Sequence, residues 1–278
     1  MTQPDTDIQS VVRACERCAG VGIYYDRTVE IGRYGRLRLC ECITRHCRCD
    51  GVRPYQYWGE DSRRYWCPCR PFSQRLAETS RLFSLAEIPE RYRWTFQDDF
   101  HRQAEDGTII PLADRVMVEV EGLVDSTRRP RRGYLLYGAP GSGKTLLGCI
   151  MLNELMLRWC KPARFLNLSR RYFERLRDTY SEESEHYGHT WRIMQELCNM
   201  PFLMLDDLGI QRNTDWELEM LYNLVDARYG DERFTIVTTN KSLEDIKDIS
   251  QGRVYSRLQE MCKMIDMGKV DYREHRLW

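Results

Sequence analysis

The chain reads Gly138-Ala139-Pro140-Gly141-Ser142-Gly143-Lys144-Thr145 directly after an apolar run, residues 134–137, and a helical pattern follows. These eight residues fit the spacing GxxxxGK(S/T), in which glycines let backbone N–H groups turn inward around phosphate oxygens. Lys144 is expected to reach the β and γ phosphates of a nucleotide, and the Thr145 hydroxyl is expected to hold Mg²⁺. Because a strand before the loop and a helix after it are the context that such a loop needs, the sequence predicts a nucleotide-binding P-loop.

The region after residue 132 predicts an α/β fold. Short apolar runs alternate there with longer helical patterns. We predict strands at 133–137, 163–168, 202–206 and 234–238, and helices at 144–159, 170–180, 190–199 and 216–229. Strands that alternate with helices of this length predict a parallel sheet covered on both faces.

An acidic pair follows the third predicted strand. The apolar residues 202–205 end in Asp206 and Asp207, a pattern typical of a Walker B strand. Asp206 is expected to hold the Mg²⁺ shell, and Asp207 is expected to polarise or position an attacking water. The alternative is an acidic turn that only caps the strand, but the upstream P-loop favours the site.

Two later polar residues are further site candidates. Asn240 follows the strand at 234–238 and can hydrogen-bond a γ-phosphate or the water, although an Asn there also suits a turn. Arg257 can point into a neighbouring subunit's nucleotide and offset charge in the transition state, with Arg253 on the same helix face as the second choice. The alternative for both arginines is solvation on an exposed helix.

These elements in this order resemble an AAA+ ATPase. The residues are similar to those of bacterial DnaC/DnaI-type helicase loaders at Ile88-Pro89-Glu90-Arg91-Tyr92, Leu205-Asp206-Asp207-Leu208-Gly209, Thr238-Thr239-Asn240 and Ser256-Arg257-Leu258. The related IstB-type transposition ATPases share much of this pattern and are the close alternative. The resemblance covers roughly residues 85–275.

The resemblance implies a role for each site residue. Lys144 and Thr145 would form the P-loop pair, Asp206 and Asp207 the Walker B acids, Asn240 sensor 1, and Arg257 the arginine finger that acts in trans. It also implies ATP and Mg²⁺ as cofactors and an ATP-dependent ring or spiral oligomer. Hydrolysis is expected to be slow, because Asp207 stands where most AAA+ ATPases have Glu. Only 21 residues follow Arg257, too few for a full helical lid.

The resemblance also implies a function. It indicates an ATP-dependent loader that binds a hexameric replicative helicase and places it on single-stranded DNA during replication initiation, in the cytoplasm of a bacterium or as a phage protein. An IstB-like ATPase that assists a transposase, a small-molecule P-loop kinase and a zinc adaptor with a structural nucleotide are the alternatives. The formal net charge of zero excludes a globally basic nucleic-acid wrapper. No run of 18 apolar residues and no signal peptide is visible, so neither a membrane helix nor secretion is expected.

Eight of the twelve cysteines fall within residues 1–70. They form the close pairs Cys15 and Cys18, Cys40 and Cys42, Cys47 and Cys49, and Cys67 and Cys69. Without a secretion signal, thiolate–metal chemistry is a better interpretation than disulfides. We predict two zinc sites with sequential ligands, the first two pairs at one ion and the last two at the other. A crossed arrangement, His46 as a replacement ligand and an iron–sulfur cluster stay open as alternatives.

Metal would explain how the first seventy residues fold. A segment of this size and polarity buries too little apolar surface to fold alone, whereas structural zinc contributes on the order of 10 kcal/mol per site. We therefore predict a double-zinc module at 1–70, a linker at 71–100 and an AAA+ ATPase domain at 101–278. Loaders of the DnaI type carry an N-terminal zinc domain that contacts the helicase, so the resemblance implies a partner-binding role for this module by its position.

Aromatic and arginine clusters are candidates for partner contacts. The module contains Tyr24, Tyr25, Tyr34, Tyr55, Tyr57, Trp58, Tyr65 and Trp66. Exposed, they would form a partner surface or stack on bases; packed, they form a small core, which we favour for Tyr65 and Trp66. Two groups of arginines are candidates for contacts with DNA phosphates. The first is Arg128, Arg129, Arg131 and Arg132; the second is Arg170, Arg171, Arg175 and Arg177, which lie near Tyr172 and Phe173 in the sequence. Solvation, or pairing with Glu174 and Asp178, is the alternative.

Overall fold

The computed structural model describes residues 8–28, 31–32, 34–101, 111–125, 128–168, 172–179, 188–209, 214–269 and 271. Within these residues the strands are β1 (Ile23–Tyr25), β2 (Leu37–Leu39), β3 (Gln56–Trp58), β4 (Arg64–Trp66), β5 (Gly133–Tyr137), β6 (Ala163–Asn167), β7 (Phe202–Asp206), β8 (Phe234–Thr239) and β9 (Cys262–Asp266). The α-helices there are α1 (Ile8–Arg13), α2 (Glu41–Thr44), α3 (Arg70–Leu85), α4 (Pro111–Asp125), α5 (Lys144–Trp159), α6 (Phe173–Asp178), α7 (Thr190–Asn199), α8 (Asp215–Gly230), α9 (Leu243–Lys247) and α10 (Arg253–Met261). The chain divides into two units: Met1–Ser84 with Met156–Cys160, and Leu85–Leu155 with Lys161–Trp278.

A five-stranded parallel sheet forms the centre of the second unit. Its strand order is β6-β7-β8-β5-β9. Every residue of β7 and β8 is buried, as expected for inner strands of a parallel sheet covered by helices. The predicted α/β fold with a parallel sheet is therefore confirmed. The sequence pattern did not predict β9, which pairs in parallel with β5 from Gly133 opposite Cys262 to Tyr137 opposite Asp266.

The carboxyl ends of these strands bring the candidate site residues to one edge of the sheet. β5 ends directly before the P-loop, β7 ends at Asp206, and β8 ends one residue before Asn240. β6 ends at Asn167, which the register places opposite Asp206 on the neighbouring strand. Parallel strands bind ligands at this edge, so the topology places the P-loop and the acidic pair where a nucleotide site is built in such folds.

The segment predicted as a linker, 71–100, is mostly ordered and packed. Its first part belongs to α3, because Leu76, Leu82 and Phe83 recur at helical spacing and are buried. Its last part packs on α5, where the Asn153 side chain donates to the carbonyl oxygens of Tyr92 (2.9 Å) and Thr95 (2.8 Å). The N-terminal part of the first unit ends at Ser84, within α3.

The first unit is organised around its cysteines. The hairpin β1–β2 lies between the first and second cysteine pairs, and the hairpin β3–β4 lies between the third and fourth. One cluster of buried side chains in this unit consists of cysteines together with Val12, Ile43 and Tyr55. None of the helices in the described part of the chain is both long and apolar enough to traverse a bilayer.

A fully buried guanidinium in the second unit makes hydrogen bonds to several of its elements. The guanidinium of Arg228 on α8 donates to the backbone oxygens of Leu197, Met200 and Phe234, at 2.6–2.8 Å, and to the Thr235 hydroxyl at 2.9 Å. Burial lowers the pKa of Arg228 to about 9. These bonds replace the water that the charge loses, which is the condition under which a buried guanidinium is tolerated.

Candidate functional site

The P-loop joins β5 to α5 in the conformation that the glycine spacing predicts. Gly138, Gly141 and Gly143 have backbone φ angles of +145°, +87° and +87°. Residues with a Cβ atom rarely adopt such positive φ angles. The buried Lys144 ammonium donates to the carbonyl oxygens of Gly138 (2.9 Å) and Ala139 (2.7 Å). The lysine therefore lies across the mouth of its own loop, within reach of any phosphate bound there.

A hydrogen-bonded network connects the P-loop to the acidic strand end. The Thr145 hydroxyl donates to Asp206 Oδ1 at 2.9 Å, and the Thr238 hydroxyl donates to the same oxygen at 2.7 Å. Thr238 Oγ1 also accepts from the backbone N–H of Asp207 at 3.1 Å. Burial raises the pKa of Asp206, and the Asp207 charge adds to this, while the two hydroxyl bonds act in the opposite direction. The arrangement places two oxygen atoms, Thr145 Oγ1 and Asp206 Oδ1, side by side, and oxygen ligands of this kind suit Mg²⁺.

Asp207 lies between two amide side chains. Asn167 Nδ2 is 3.4 Å from Asp207 Oδ2 and 3.5 Å from Asp206 Oδ2, and Asn240 Nδ2 is 3.5 Å from Asp207 Oδ1. Asp207 has a φ of +64°, a left-handed conformation that Asp and Asn tolerate better than other non-glycine residues. Asp207 follows β7 directly, and its carboxylate lies between Asn167 at the end of β6 and Asn240 after β8.

Sequence reasoning missed Asn167 and Thr238. Both lie at the carboxyl ends of sheet strands, Asn167 on β6 and Thr238 on β8. The rule that selected Asn240, a polar residue at the end of a buried strand, applies equally to these two. Applied to every strand, it would have found them.

The segment after β9 returns to the P-loop. The Ala139 N–H donates to the Gly268 carbonyl at 2.9 Å, and the Met267 N–H donates to the Tyr137 carbonyl at 2.8 Å. A methyl group placed on Gly141 would lie 2.4 Å from the Asp271 carboxyl carbon. Gly268 and Asp271 therefore lie next to the phosphate-binding loop. The segment after β9 is thus part of the nucleotide site.

Arg257 lies on α10 and bonds to α8. Its Nε donates to Asp226 Oδ1, and its Nη2 donates to the Tyr222 hydroxyl at 2.9 Å. Arg253 on the same helix has its guanidinium 4.6 Å from the centroid of the Tyr222 ring. None of the hydrogen bonds described for Arg257 reaches the P-loop, Asp206 or Asp207, so the structure does not bring Arg257 into the nucleotide site of its own chain.

The family model described as "IstB-like ATP binding protein" matches residues 111–276. The match covers more than half of the chain and includes the P-loop, the acidic pair, Asn240 and Arg257. The chain belongs to the IstB-like ATP-binding protein family. The predicted resemblance to AAA+ ATPases of this group is confirmed, and the chain is an ATP-binding protein of the AAA+ ATPase class.

Two curated relatives and one solved structure extend this family assignment. The replicative helicase loader DnaC of Escherichia coli strain K12 is 26% identical over 154 residues, 51% of this chain and 60% of DnaC. Protein XkdC of the phage-like element PBSX, from Bacillus subtilis strain 168, is 23% identical over 223 residues, 76% of this chain and 79% of XkdC. The crystal structure of the DnaC helicase loader has a TM-score of 0.53 at 24% identity, covering 64% of this chain and 99% of that one, which shows a shared fold. The chain spans about 60% of the length of the Escherichia coli DnaC that it matches.

The eight N-terminal cysteines of this IstB-like chain form two separate groups. One group consists of Cys15, Cys18, Cys40 and Cys42, and the other of Cys47, Cys49, Cys67 and Cys69; within each, all sulfurs lie within 4.8 Å of one another. The structure thus brings together the sequential pairs and not the crossed ones. His46 belongs to neither group.

The sulfur positions fit a single tetrahedral ion in each group. Measured S···S distances are 3.6 Å for Cys15–Cys40, 3.8 Å for Cys18–Cys42 and 3.5 Å for Cys49–Cys69. Four sulfurs about 2.3 Å from one Zn²⁺ would be about 3.8 Å apart at the corners of a tetrahedron. The Arg48 N–H donates to Cys67 Sγ at 3.2 Å. Burial acts to raise the pKa of Cys67, but this N–H, that of Cys69 and the neighbouring thiols outweigh it and lower the pKa to about 7. The residues present therefore fit two zinc ions.

The arginines proposed for DNA contact have different surroundings. Arg129 donates to the Pro201 carbonyl at 3.0 Å, and Arg131 pairs with Glu232 at 2.6 Å; with Arg128 and Arg233 they line a pocket of about 1000 Å³. In the second group, Arg177 pairs with the buried Glu217. Tyr172 and Phe173 beside it are buried in the core and are not available to stack on bases. Arg170, Arg171 and the Arg175 side chain lie outside the described residues.

The prediction that Tyr65 and Trp66 form a core around the metal sites is wrong. Tyr65 is 42% and Trp66 is 53% exposed. They lie on the short hairpin β3–β4, and a two-stranded ribbon has too little area to bury both of its faces. Tyr55, by contrast, is buried beside the second cysteine group.

Proposed function

We propose that this chain is an ATP-dependent loader that binds a replicative hexameric helicase and places it on single-stranded DNA during replication initiation, in the cytoplasm of a bacterium or as a phage protein. The observation that carries the proposal is the convergence of the P-loop, Asp206, Asp207 and Asn240 at one sheet edge in a chain of the IstB-like family. The helicase part is supported by the match to the replicative helicase loader DnaC.

In this proposal the residues of the nucleotide site bind ATP and prepare a water for attack. Backbone N–H groups of the P-loop residues after Pro140 hold the phosphates, and the Lys144 ammonium exchanges its contacts with the loop carbonyl oxygens for the β and γ oxygens of ATP. Thr145 and Asp206 hold Mg²⁺, which neutralises phosphate charge when bound. Asp207 orients the attacking water and accepts its proton, and the Asn240 amide donates to the water or to the γ-phosphate.

Arg257 acts on the nucleotide of a neighbouring subunit. It lies on α10, where Asp226 and Tyr222 hold its guanidinium within the chain. In an ATP-dependent oligomer it exchanges these contacts for the neighbour's γ-phosphate and offsets the charge that develops there. ATP hydrolysis then requires two adjacent subunits.

The N-terminal module contacts the helicase in this proposal. Two zinc ions, held by the two groups of four cysteines, keep a small segment folded that has little apolar core of its own. A four-thiolate site leaves no open position for a reacting group, so these ions have a structural role. The proposed division is a module at 1–70, a connecting segment at 71–100 and an ATPase domain at 101–278.

The second candidate function is that of an ATPase that assists a transposase. The family description, IstB-like ATP-binding protein, supports it. The nucleotide chemistry is the same in both cases, and only the protein partner differs.

A loading assay distinguishes these functions. The purified chain is mixed with ATP, circular single-stranded DNA and the replicative helicase of the same organism, and helicase retained on the circles is counted after gel filtration. We expect loading to fall at least about 10-fold with Lys144→Ala, because the P-loop lysine is lost, and to be unchanged with the exposed control Lys161→Ala. Helicase retention that does not depend on the added chain would contradict the loader function, and stable binding to the transposase instead would favour the second candidate.

A further inference from the structure

The hairpin β3–β4 and the loop before it carry an unusual concentration of exposed apolar side chains. Trp58 is 65% exposed, Trp66 53% and Val52 66%. Together with Tyr65 they are four of the eight large, exposed apolar side chains in the part of the chain that the structure describes, and all four fall within residues 52–66. Isolated exposed apolar residues need no explanation, whereas a cluster of them marks an interaction site.

The strand register places both tryptophans on one face of the hairpin. Gln56 is opposite Trp66, and Trp58 is opposite Arg64, so these four residues share a face that we call the tryptophan face. Tyr57 and Tyr65 are opposite one another on the other face, and Tyr57 packs against the second cysteine group. Tyr57 on this face is half-buried, whereas both tryptophans on the opposite face are exposed to solvent.

An arginine guanidinium lies beside each ring of the tryptophan face. The Arg64 guanidinium lies 4.8 Å from the centroid of the Trp58 ring, and that of Arg70 lies 3.5 Å from the Trp66 ring. Cys67 and Cys69 follow Trp66 directly and belong to the second cysteine group. A surface ordered in advance loses little conformational entropy when it binds, which favours tight association.

Charge distinguishes between a nucleic-acid and a protein occupant. Residues 1–84 contain fourteen arginines, no lysine and ten acidic residues, an excess of four positive charges. Each four-thiolate zinc site adds two negative charges, so residues 1–84 with two zinc ions bound have no net positive charge to attract a phosphate backbone. The aliphatic Val52 also offers no surface for base stacking. Trp, Tyr and Arg are, in contrast, the residues that dominate protein–protein hot spots.

We propose that the tryptophan face is the surface with which the N-terminal unit binds its protein partner. The complementary surface is an apolar groove that receives Trp58 and Trp66 and carries Asp or Glu side chains at its edge, opposite the exposed Arg64. The inference rests on the proposed function in that it takes this partner to be the replicative helicase.

The test compares full-length, zinc-loaded variants in their binding to the purified replicative helicase of the same organism. The Trp58→Ala, Trp66→Ala double variant is expected to bind roughly 100-fold more weakly than the wild type, because two anchor side chains are removed. The matched control is Trp191→Ala, which removes a tryptophan that is 73% exposed on α7 and is expected to bind like the wild type. Arg64→Glu is expected to weaken binding, and Arg64→Lys is expected to retain most of it. Zinc content is measured for each variant, so that unfolding is not mistaken for lost contact.

Each outcome decides the proposal. A double variant that binds the helicase as tightly as the wild type overturns the tryptophan face as the docking surface and leaves the loader function intact. A double variant that loses affinity for a 20-nucleotide oligo(dT), but not for the helicase, assigns the surface to nucleic acid and also overturns it. If the wild-type chain binds no helicase, the proposed function itself is contradicted, and the helicase is no longer the partner of the tryptophan face. This result is distinct from the other two.

Discussion

Replacing Asp207 by Asn is expected to lower ATP turnover by roughly 10²–10⁴-fold while ATP binding is retained, because the carboxylate that accepts the proton of the attacking water becomes a neutral amide. Asn has the same shape and also tolerates a left-handed backbone such as the φ of +64° at this position, so the substitution removes a charge without straining the turn. Lys144, Thr145 and Asp206 keep their contacts. Steady-state hydrolysis and equilibrium binding of a fluorescent ATP analogue measure the two properties separately.

The matched control for this experiment is Asp248→Asn, which makes the same change at an exposed residue after α9. Its turnover should equal that of the wild type. If Asp207→Asn hydrolyses ATP as fast as the control does, Asp207 does not act on the water. A wild-type chain that binds ATP but does not hydrolyse it would instead indicate a structural nucleotide, as in a zinc adaptor.

Replacing Cys67 by Ser is expected to remove one of the two zinc ions and to unfold the region around the second cysteine group. Structural zinc contributes about 10–16 kcal/mol of folding free energy, which equals or exceeds the 5–15 kcal/mol that stabilises a typical domain. Cys67 is buried and lies 3.9 Å from Cys47 within its group. Atomic emission should give one zinc per chain instead of two, and limited proteolysis should cut within residues 46–70.

Cys198→Ser is the control for the zinc experiment. Cys198 is a half-buried cysteine on α7 and belongs to neither group of four. Two zinc ions should remain bound to this variant, and residues 46–70 should stay resistant to protease. Two zinc ions bound to the Cys67→Ser variant, or a wild-type module that stays folded after chelation, would show that this cysteine group is not a structural zinc site.

The parts of the fold that depend on local pattern could be predicted from the sequence. The P-loop is a contiguous motif, and β5, α5, α7 and β7 are observed at the predicted bounds because each combines a clear apolar pattern with a clear start and end. The acidic pair was predicted from the strand that leads into it. The cysteine grouping followed from the short spacing within pairs, although spacing alone left the crossed arrangement open.

The parts that depend on long-range contacts could not be predicted in this way. β9 is a mixed run of five residues, and it becomes a strand through pairing with β5, about 130 residues earlier. An arginine on a helix is expected to be exposed to solvent. Arg228 is nevertheless buried, and carbonyl groups from α7 and β8 surround its guanidinium. Asp226 and Tyr222, which hold Arg257, lie on another helix and carry no motif. Tyr65 and Trp66 are exposed because the hairpin that carries them is small, although aromatic residues among metal-binding cysteines favour a buried core.

We propose that ATP is hydrolysed at a site completed by two subunits, with Asp207 from one chain and Arg257 from the next. The most direct test mixes equal amounts of Asp207→Asn and Arg257→Ala chains and measures ATP turnover. Each variant alone should be nearly inactive, whereas the mixture should recover about one quarter of wild-type turnover, because about a quarter of random contacts join an intact Asp207 to an intact Arg257. A mixture no faster than its two components would contradict the shared site and would show that Arg257 does not act in trans.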